Sequence, residues 1–526
     1  MAQPLSPSAP VMIIGAGAMG SGIAQIAAQA GHPVALFDTR EGAAADAVTK
    51  LRRRFGELAD KGRITRQVAA AAGANLTAAD RLADCANAAL VIEAIAEDLA
   101  AKRDLVQALD ALLDDDAIIA TNTSSLSITA IAAGSKRPSR VAGMHFFNPA
   151  PLLPLVEIVS GLSTAPATAD TLYATAFAWG KTPVHARSTP GFIVNRCARP
   201  YYGEALRLLT ERAADVATLD AVMREAGGFR MGPFELMDLV GLDVNFAVTQ
   251  SVWNAYFHDP RFAPSFLQRE MVDGGLLGRK SGRGFHDYAK DAKPSLPATE
   301  PAYPAPSRVV VYGELGAAAA LVARMRERGA SVEFVRDAMP MLKGIDSAIG
   351  TGGAWLALTD GRTATARAEA TGARELVVFD LAFDFASCQR LAVARADSCS
   401  DAAYKAAVGA LQLAGVAVSR LDDVAGLAVM RSVCMLANEA ADAAKEGIAT
   451  PAEIDIAMQK GVNYPCGPLA WADAIGVARV RDVLANLAAH YGEDRYRISP
   501  WLARRAAGGS PLAGGGSPLA GRQAGE

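Results

Sequence analysis

Residues 11 to 38, "VMIIGAGAMGSGIAQIAAQAGHPVALFD", begin with an unbroken apolar run. They pass through a glycine turn into an Ala-rich stretch of helical length, turn at Gly31 and His32, and close on a second apolar run ending in Asp38. That is the pattern of one βαβ unit. A long helical excursion follows to about residue 80, after which "ALVIEAIAED" reads as a strand and polar turn, and a helix continues through about 113. "AIIATNTSSLSI" is then a further strand and turn. Strands alternating with helices predict a parallel, doubly wound sheet. From "GFIVNR" at 191 the pattern becomes helical, ending near "GRGFHDY" at 282 to 288. Beyond it Pro294, Pro297, Pro301, Pro304 and Pro306 crowd a short polar segment, the mark of a stiff linker.

The second half repeats the first. Gly191 and Gly426, Arg196 and Arg431, Glu204 and Glu439, Asp220 and Asp455, Asp238 and Asp473, and Tyr256 and Tyr491 all pair at a constant offset of 235. Ungapped identity at turns and charges marks a duplicated helical module. A fainter echo sets "VMIIGAGAMG" beside "VVVYGELGAA", Gly15 with Gly313 and Gly31 with Gly329, but the segment from 308 to about 424 is shorter than residues 1 to 188. The expected divisions are therefore 1–188 (α/β), 189–288 (helical), 289–307 (linker), 308–424 (a reduced copy of the α/β unit), 425–506 (the second helical module) and 507–526 (a low-complexity, disordered tail).

Composition narrows the function classes. The formal charge of −3 on 526 residues, with no long Lys/Arg run, argues against a nucleic-acid partner, and the 51% hydrophobic content suffices for several packed cores. "MAQPLSPSAP" lacks the basic start of a signal peptide and no clean apolar span follows, so a cytoplasmic protein without a membrane partner is expected. Cys85, Cys197, Cys388, Cys399, Cys434 and Cys466 lack metal-ligand spacing, which predicts reduced structural thiols and no metal.

Gly15, Gly17 and Gly20 form G-x-G-x-x-G between an apolar strand and a helix, where a pyrophosphate can approach the helix N-terminus. Asp38 closes the next strand in position for the adenosine ribose hydroxyls, and an acid there favours NAD over NADP, although Arg40 two residues on pulls the other way. This is a Rossmann-type fingerprint. Glu97 and Lys102 fall at a strand's carboxyl end and in the helix after it, either ligand-facing or a solvated helix start. His145 in "GMHFFNP" would alone read as a core residue. Glu157 in "LLPLVEIV" is costly to bury unpaired, and a strand-turn-strand through Pro149, Pro151 and Pro154 would return it to the imidazole, making a base of fixed tautomer. Ser124 and Asn195 add neutral groups able to hold a substrate oxygen.

In "GAGAMGSGIAQ", "EAIAED", "TNTSSLSI", "GMHFFNP", "VEIV" and "GFIVNR" the chain resembles the 3-hydroxyacyl-CoA dehydrogenases of β-oxidation, densely over residues 10 to 288 and again over 425 to 506. The resemblance implies a Rossmann domain with a CoA-binding helical arm, a helical domain, a degenerate Rossmann-like segment and a second helical module. It implies NAD as cofactor, held through Gly15, Gly17, Met19, Gly20, Asp38, Glu97, Lys102 and Asn122. It makes His145 the general base, Glu157 its partner, Ser124 and Asn195 the groups on the substrate's hydroxyl and thioester oxygens, and Lys61 or Arg54 the contact to CoA phosphate, with Lys50 also able to serve. The reaction would be oxidation of a (3S)-3-hydroxyacyl-CoA to the 3-ketoacyl-CoA.

The two-module length resembles in particular the 3-hydroxyadipyl-CoA dehydrogenases of phenylacetate breakdown; 3-hydroxybutyryl-CoA or a broad acyl range is the alternative. One site is expected, in the first half, because Asn195 falls on Met430, "GELGAA" lacks the third glycine, and no histidine lies between His286 and His490. The second helical module would pack on the first as an intrachain pseudo-dimer, with homo-oligomers open. Two competing readings are the 6-phosphogluconate-type dehydrogenases, which use a lysine of the helical part, and a non-catalytic NAD-binding protein, which would not keep this residue set.

Overall fold

The computed structural model describes residues 3–335 and 344–514. By internal contacts the chain divides into two units, Met1–Arg196 with Ala443–Val462, and Cys197–Asp442 with Asn463–Glu526.

The first unit runs β1 (Val11–Ile14), α1 (Ala18–Gln29), β2 (Val34–Phe37), α2 (Ala43–Asp60), α3 (Arg66–Ala74), β3 (Leu76–Ala78), β4 (Leu90–Glu93), α4 (Leu99–Asp110), β5 (Ile118–Thr121), α5 (Ile128–Ala132), β6 (Val141–Phe146), β7 (Leu155–Ser160), α6 (Pro166–Ala178) and β8 (Thr182–Arg187). Its sheet has the order β3-β2-β1-β4-β5-β6-β7-β8. The strands from β3 to β6 are parallel, β7 runs antiparallel to β6, and β8 runs parallel to β7. The unbroken apolar run of β1 has a physical reason. Val11 and Ile13 join one core with Ile23 and Ala27 of α1, while Met12 and Ile14 join a second core with Val106 and Leu109 of α4. A strand covered by helices on both faces has no solvent side to keep polar.

The single helical excursion expected to residue 80 is two helices. α2 buries Ala44, Ala47, Val48, Leu51 and Phe55 on one stripe; the chain turns at Gly62 (φ +66°), and the Thr65 hydroxyl accepts from the Val68 amide to start α3.

Residues 443–462, expected within one helical module over 425–506, belong with the first unit. The helix Pro451–Gly461 packs on β7 and β8, the Glu453 carboxylate accepts the His185 amide at 3.0 Å, and the Arg187 amide donates to Ile448 O at 2.8 Å. The outer strand β8 is thereby covered, which removes an open sheet edge.

The second unit holds helices from Arg199–Thr210 to Phe266–Asp273, a second sheet, and further helices ending at Pro500–Ala507. The sheet strands are β9 (Arg308–Gly313), β10 (Ser331–Val335), β11 (Ser347–Thr351), β12 (Ala354–Leu358), β13 (Leu376–Phe379), β14 (Arg390–Arg395) and β15 (Ala417–Arg420), ordered β10-β9-β11-β12-β13-β14-β15. Here β9 pairs parallel with β10, whereas β11 runs antiparallel to both β9 and β12, so only part of the parallel pattern survives. The tail expected to be disordered from 507 needs correcting up to 514. The amides of Leu512 and Ala513 donate to the Asp473 carboxylate at 2.6 and 2.9 Å, and residues 515–526 lie outside the described residues.

The repeat is visible in the backbone and in the ion pairs. Gly191 and Gly426 share φ of +77° and +76°, and the residues after them, Phe192 and Leu427, share +47° and +52°. Arg431 meets Glu211 at 3.2 Å; its counterpart Arg196 meets Glu446, the counterpart of Glu211, at 2.6 Å. Arg495 meets Glu204 at 2.9 Å, and Arg261 meets Glu439, the counterpart of Glu204, at 3.0 Å. No helix of the described residues is long and apolar enough to cross a membrane.

Candidate active site

The sheet order reverses between β1 and β4, and crevices at such a switch point bind ligands at the strands' carboxyl ends. The glycine turn lies there. Gly15 has φ +100°, and a Cβ on it would meet Ala94 O at 2.6 Å; a Cβ on Gly20 would meet Gly15 O at 1.8 Å. These two glycines let the turn close on β4 and the helix pack against it. Gly17 differs, since a Cβ there would meet nothing within 4 Å. Its open side faces away from the protein at the start of α1, as a phosphate cradle requires. Met19, half-buried, packs on the core beneath. Asp38, one residue past β2, accepts the Ala16 amide at 2.8 Å, so the acid is tied to the turn. Hydrogen bonds from Arg40, with the Ala16 amide assisting, hold the Asp38 carboxyl down at about 2. The residues present fit a dinucleotide.

β6 and β7 place His145 and Glu157 directly opposite each other. Nδ1 of His145 lies 2.7 Å from one carboxylate oxygen of Glu157, and the other oxygen accepts the amides of Ile193 and Val194 at 3.1 and 3.0 Å. Glu157 is 0% exposed and His145 5%. A carboxylate accepting from two amides can only accept from Nδ1 as well, so the ring proton resides on Nδ1 and Nε2 carries the free lone pair. The rings of Phe147 and Phe192, at 4.5 and 5.8 Å, flank the imidazole.

The turn after β5 carries Ser124, half-buried. Glu97 organises it: one oxygen accepts the Thr123 hydroxyl at 2.6 Å, the amides of Ser124 and Ser125 at 3.0 and 3.2 Å, and the Ser125 hydroxyl at 3.0 Å. Burial works against the charge of Glu97, but these donors and the Lys102 ammonium outweigh it and hold the carboxyl below its ordinary value. Asn195 reaches the same turn, its side-chain amide donating to Ser124 O at 3.4 Å. Asn122 does not point at the turn's hydroxyls; its side-chain oxygen accepts the Phe146 amide at 2.9 Å, locking the end of β5 to β6.

Lys102 is 1% exposed. Its ammonium donates to both oxygens of Glu93 at 2.8 Å and lies 3.4 Å from Glu97. It therefore acts on the crevice through Glu97. Glu93, 0% exposed and also bonded by the Thr121 hydroxyl, is a residue that sequence reasoning missed, although "VIEAIAED" offered it as the first of three acids.

Of the cations on the helical arm, Lys50, Arg53 and Arg54 line a cavity of about 610 Å³ that also takes in Ala16, Gly17 and Arg40; Lys61, exposed at the end of α2, is not part of that lining.

In the second unit the helix start after Gly426 is anchored by a different acid. Asp380, buried just past β13, accepts the amides of Ala428, Val429 and Met430 at 2.9, 2.7 and 2.9 Å, the counterparts of Ile193, Val194 and Asn195. Burial raises the Asp380 carboxyl to about 6. Among the described residues no histidine hydrogen-bonds to it.

The chain matches the family model described as "3-hydroxyacyl-CoA dehydrogenase, NAD binding domain" over residues 10–189 and the corresponding C-terminal domain over 191–288 and 426–513. Residues 356–424 match "3-hydroxybutyryl-CoA dehydrogenase reduced Rossmann-fold domain". A 3-hydroxyadipyl-CoA dehydrogenase of Escherichia coli is 41% identical, with 94% of this chain and 97% of that protein covered. A probable 3-hydroxybutyryl-CoA dehydrogenase of Bacillus subtilis is 41% identical over 53% of this chain and 96% of its own length. The crystal structure of a 3-hydroxybutyryl-CoA dehydrogenase from E. coli superposes with a TM-score of 0.85 at 39% identity, covering 95% of this chain and 98% of that one. The chain belongs to the 3-hydroxyacyl-CoA dehydrogenase family and is an NAD-dependent oxidoreductase of that class.

Proposed function

We propose that this enzyme oxidises the C3 hydroxyl of a (3S)-3-hydroxyacyl-CoA, with His145 as the base. The observation that carries the reading is the buried His145–Glu157 pair, whose carboxylate is fixed from behind by the Ile193 and Val194 amides. NAD, when bound, supplies the acceptor for the C3 hydride. His145 receives the hydroxyl proton at Nε2, and the imidazolium that results is stabilised by Glu157 through Nδ1–H. Ser124 and Asn195 hold substrate oxygens without competing for that proton. Gly15, Gly17, Met19, Gly20 and Asp38 hold the cofactor, while Glu93, Lys102 and Glu97 keep the Ser124 turn in place beside it. The arm cations Arg54 and Lys50, with Lys61 farther along, serve the CoA phosphates.

The substrate we propose is 3-hydroxyadipyl-CoA. Support comes from the relative so named, which is matched along nearly its whole length, whereas the probable 3-hydroxybutyryl-CoA dehydrogenase of B. subtilis matches only 53% of this chain. The E. coli crystal structure bearing the 3-hydroxybutyryl name is also long, so 3-hydroxybutyryl-CoA is the second reading. The reciprocal pairs Arg431–Glu211 and Arg196–Glu446 support an intrachain pseudo-dimer of helical modules, since isologous contacts exchange equivalent residues. Six free, buried cysteines support a cytoplasmic setting.

The test is turnover of 3-hydroxyadipyl-CoA and 3-hydroxybutyryl-CoA with NAD by the full chain. A higher kcat/KM on the dicarboxylyl substrate is expected. A preference for the butyryl compound would remove the adipyl assignment, and no turnover of any 3-hydroxyacyl-CoA would remove the role given to His145.

A further inference from the structure

Asp38 is the acid to which an adenosine ribose would donate, and in this chain its acceptor positions are already filled. Oδ1 accepts the Arg40 amide and Arg40 Nε, both at 3.0 Å; Oδ2 accepts the Ala16 amide at 2.8 Å and Arg40 Nη2 at 3.2 Å. An ionised carboxylate offers about four such positions. Two of the donors are backbone amides and part of the turn. The other two belong to one guanidinium on a side chain that is 71% exposed, whereas the Asp38 side chain is 9% exposed. A ribose diol can therefore reach the carboxylate only where the guanidinium has left it.

We propose that Arg40 sets the nicotinamide cofactor preference: folded onto Asp38 it competes with the ribose of NAD, and swung away it provides the cation that the 2′-phosphate of NADP needs. This rests on the reading of Asp38 as the ribose acid.

The surroundings favour both positions of the side chain. Folded in, the guanidinium meets an acid only two residues back along the chain, so the contact closes a short loop. Even while it holds Asp38, Arg40 lines the 610 Å³ cavity together with Gly17, Asp46, Lys50, Arg53, Arg54 and Glu57, so a guanidinium released from the acid has that open space to enter. Two of those cations, Arg53 and Arg54, share the single acid Glu57 at 3.5 Å each, so that wall carries a surplus of positive charge. Asp38 itself still repels a 2′-phosphate, which keeps NAD ahead. Arg40 narrows the difference from both sides, by weakening NAD and by accommodating NADP.

The magnitudes follow from exposure. An exposed ion pair holds with a strength that makes its loss worth about two- to fivefold in an affinity. A charge-assisted contact to a phosphate is stronger, worth roughly tenfold.

Calorimetric titration of NAD and of NADP into the full chain, into Arg40→Ala and into Arg40→Lys tests this by binding alone. Arg40→Ala is expected to bind NAD about two- to fivefold more tightly and NADP roughly tenfold more weakly, opposite signs from one substitution. Arg40→Lys, which keeps the charge but cannot bracket both oxygens, should tighten NAD while retaining most of the NADP affinity. Unchanged affinities, or both nucleotides shifting in the same direction, would overturn the role of Arg40 while leaving the NAD site intact. A wild-type chain that binds neither nucleotide would overturn the ribose assignment itself.

Discussion

Glu157 does two jobs with one carboxylate, and a near-isosteric change separates them. In Glu157→Gln the side-chain oxygen is drawn to the Ile193 and Val194 amides, which need an acceptor, and the NH2 then faces Nδ1 of His145. The imidazole is forced to carry its proton on Nε2, the wrong tautomer for a base. Steady-state kinetics should show kcat lower by about a hundred- to ten-thousandfold with KM changed far less. A loss under about tenfold would mean that Glu157 only packs the strand. The His145–Glu157 pair was legible in the sequence because a carboxylate inside "LLPLVEIV" has no solvent to turn to. Glu93 was not, because the Lys102 that neutralises it stands nine positions on, and a lysine near a helix start reads as solvated until its burial is seen. Arg40 was legible as a charge near the ribose acid, but its hold on both oxygens of Asp38 depends on a side-chain conformation.

The loop joining β6 to β7 depends on Lys181 at the start of β8. Its ammonium donates to Ala150 O at 2.5 Å and Leu153 O at 2.9 Å, and burial presses its pKa down to about 8. The folded chain thus binds this proton less readily than the unfolded chain, whose lysine titrates near 10.4. Between these values the unfolded state carries more protons, so the stability due to Lys181 rises with pH. Urea unfolding of the full chain and of Lys181→Met at pH 7.5 and pH 10 should show the wild type gaining on the variant at the higher pH. A constant difference would contradict the assigned shift. At this scale the sequence told more about β1 and β4, whose apolar runs have no alternative, than about the arm, where the break at Gly62 is a single glycine in an otherwise helical pattern. It told nothing of the helix Pro451–Gly461 covering β8, since a repeat found by counting does not say where each copy packs.

For the whole molecule, the proposed reading is that duplication did not double the site. Counting at a constant offset exposed the missing asparagine at Met430, but not the replacement of Glu157 by Asp380, because the anchoring acid moved to a different strand and no longer pairs in sequence. The second copy keeps the helix start and lacks the imidazole. Its sheet has lost part of the parallel pattern, and Gly313 opens on Glu314 where the first copy has Ala16. Calorimetry with NAD should therefore give one site per chain, and two equivalent sites would contradict the assignment of all cofactor chemistry to the first unit. Everything proposed for the chemistry turns on His145 as the base of that single site. The most direct test is His145→Gln, assayed for oxidation of 3-hydroxyacyl-CoA with NAD and titrated with NAD in parallel. Turnover is expected to fall by about a hundred- to ten-thousandfold with NAD affinity unchanged; turnover equal to wild type, at unchanged NAD affinity, would mean that His145 is not the base.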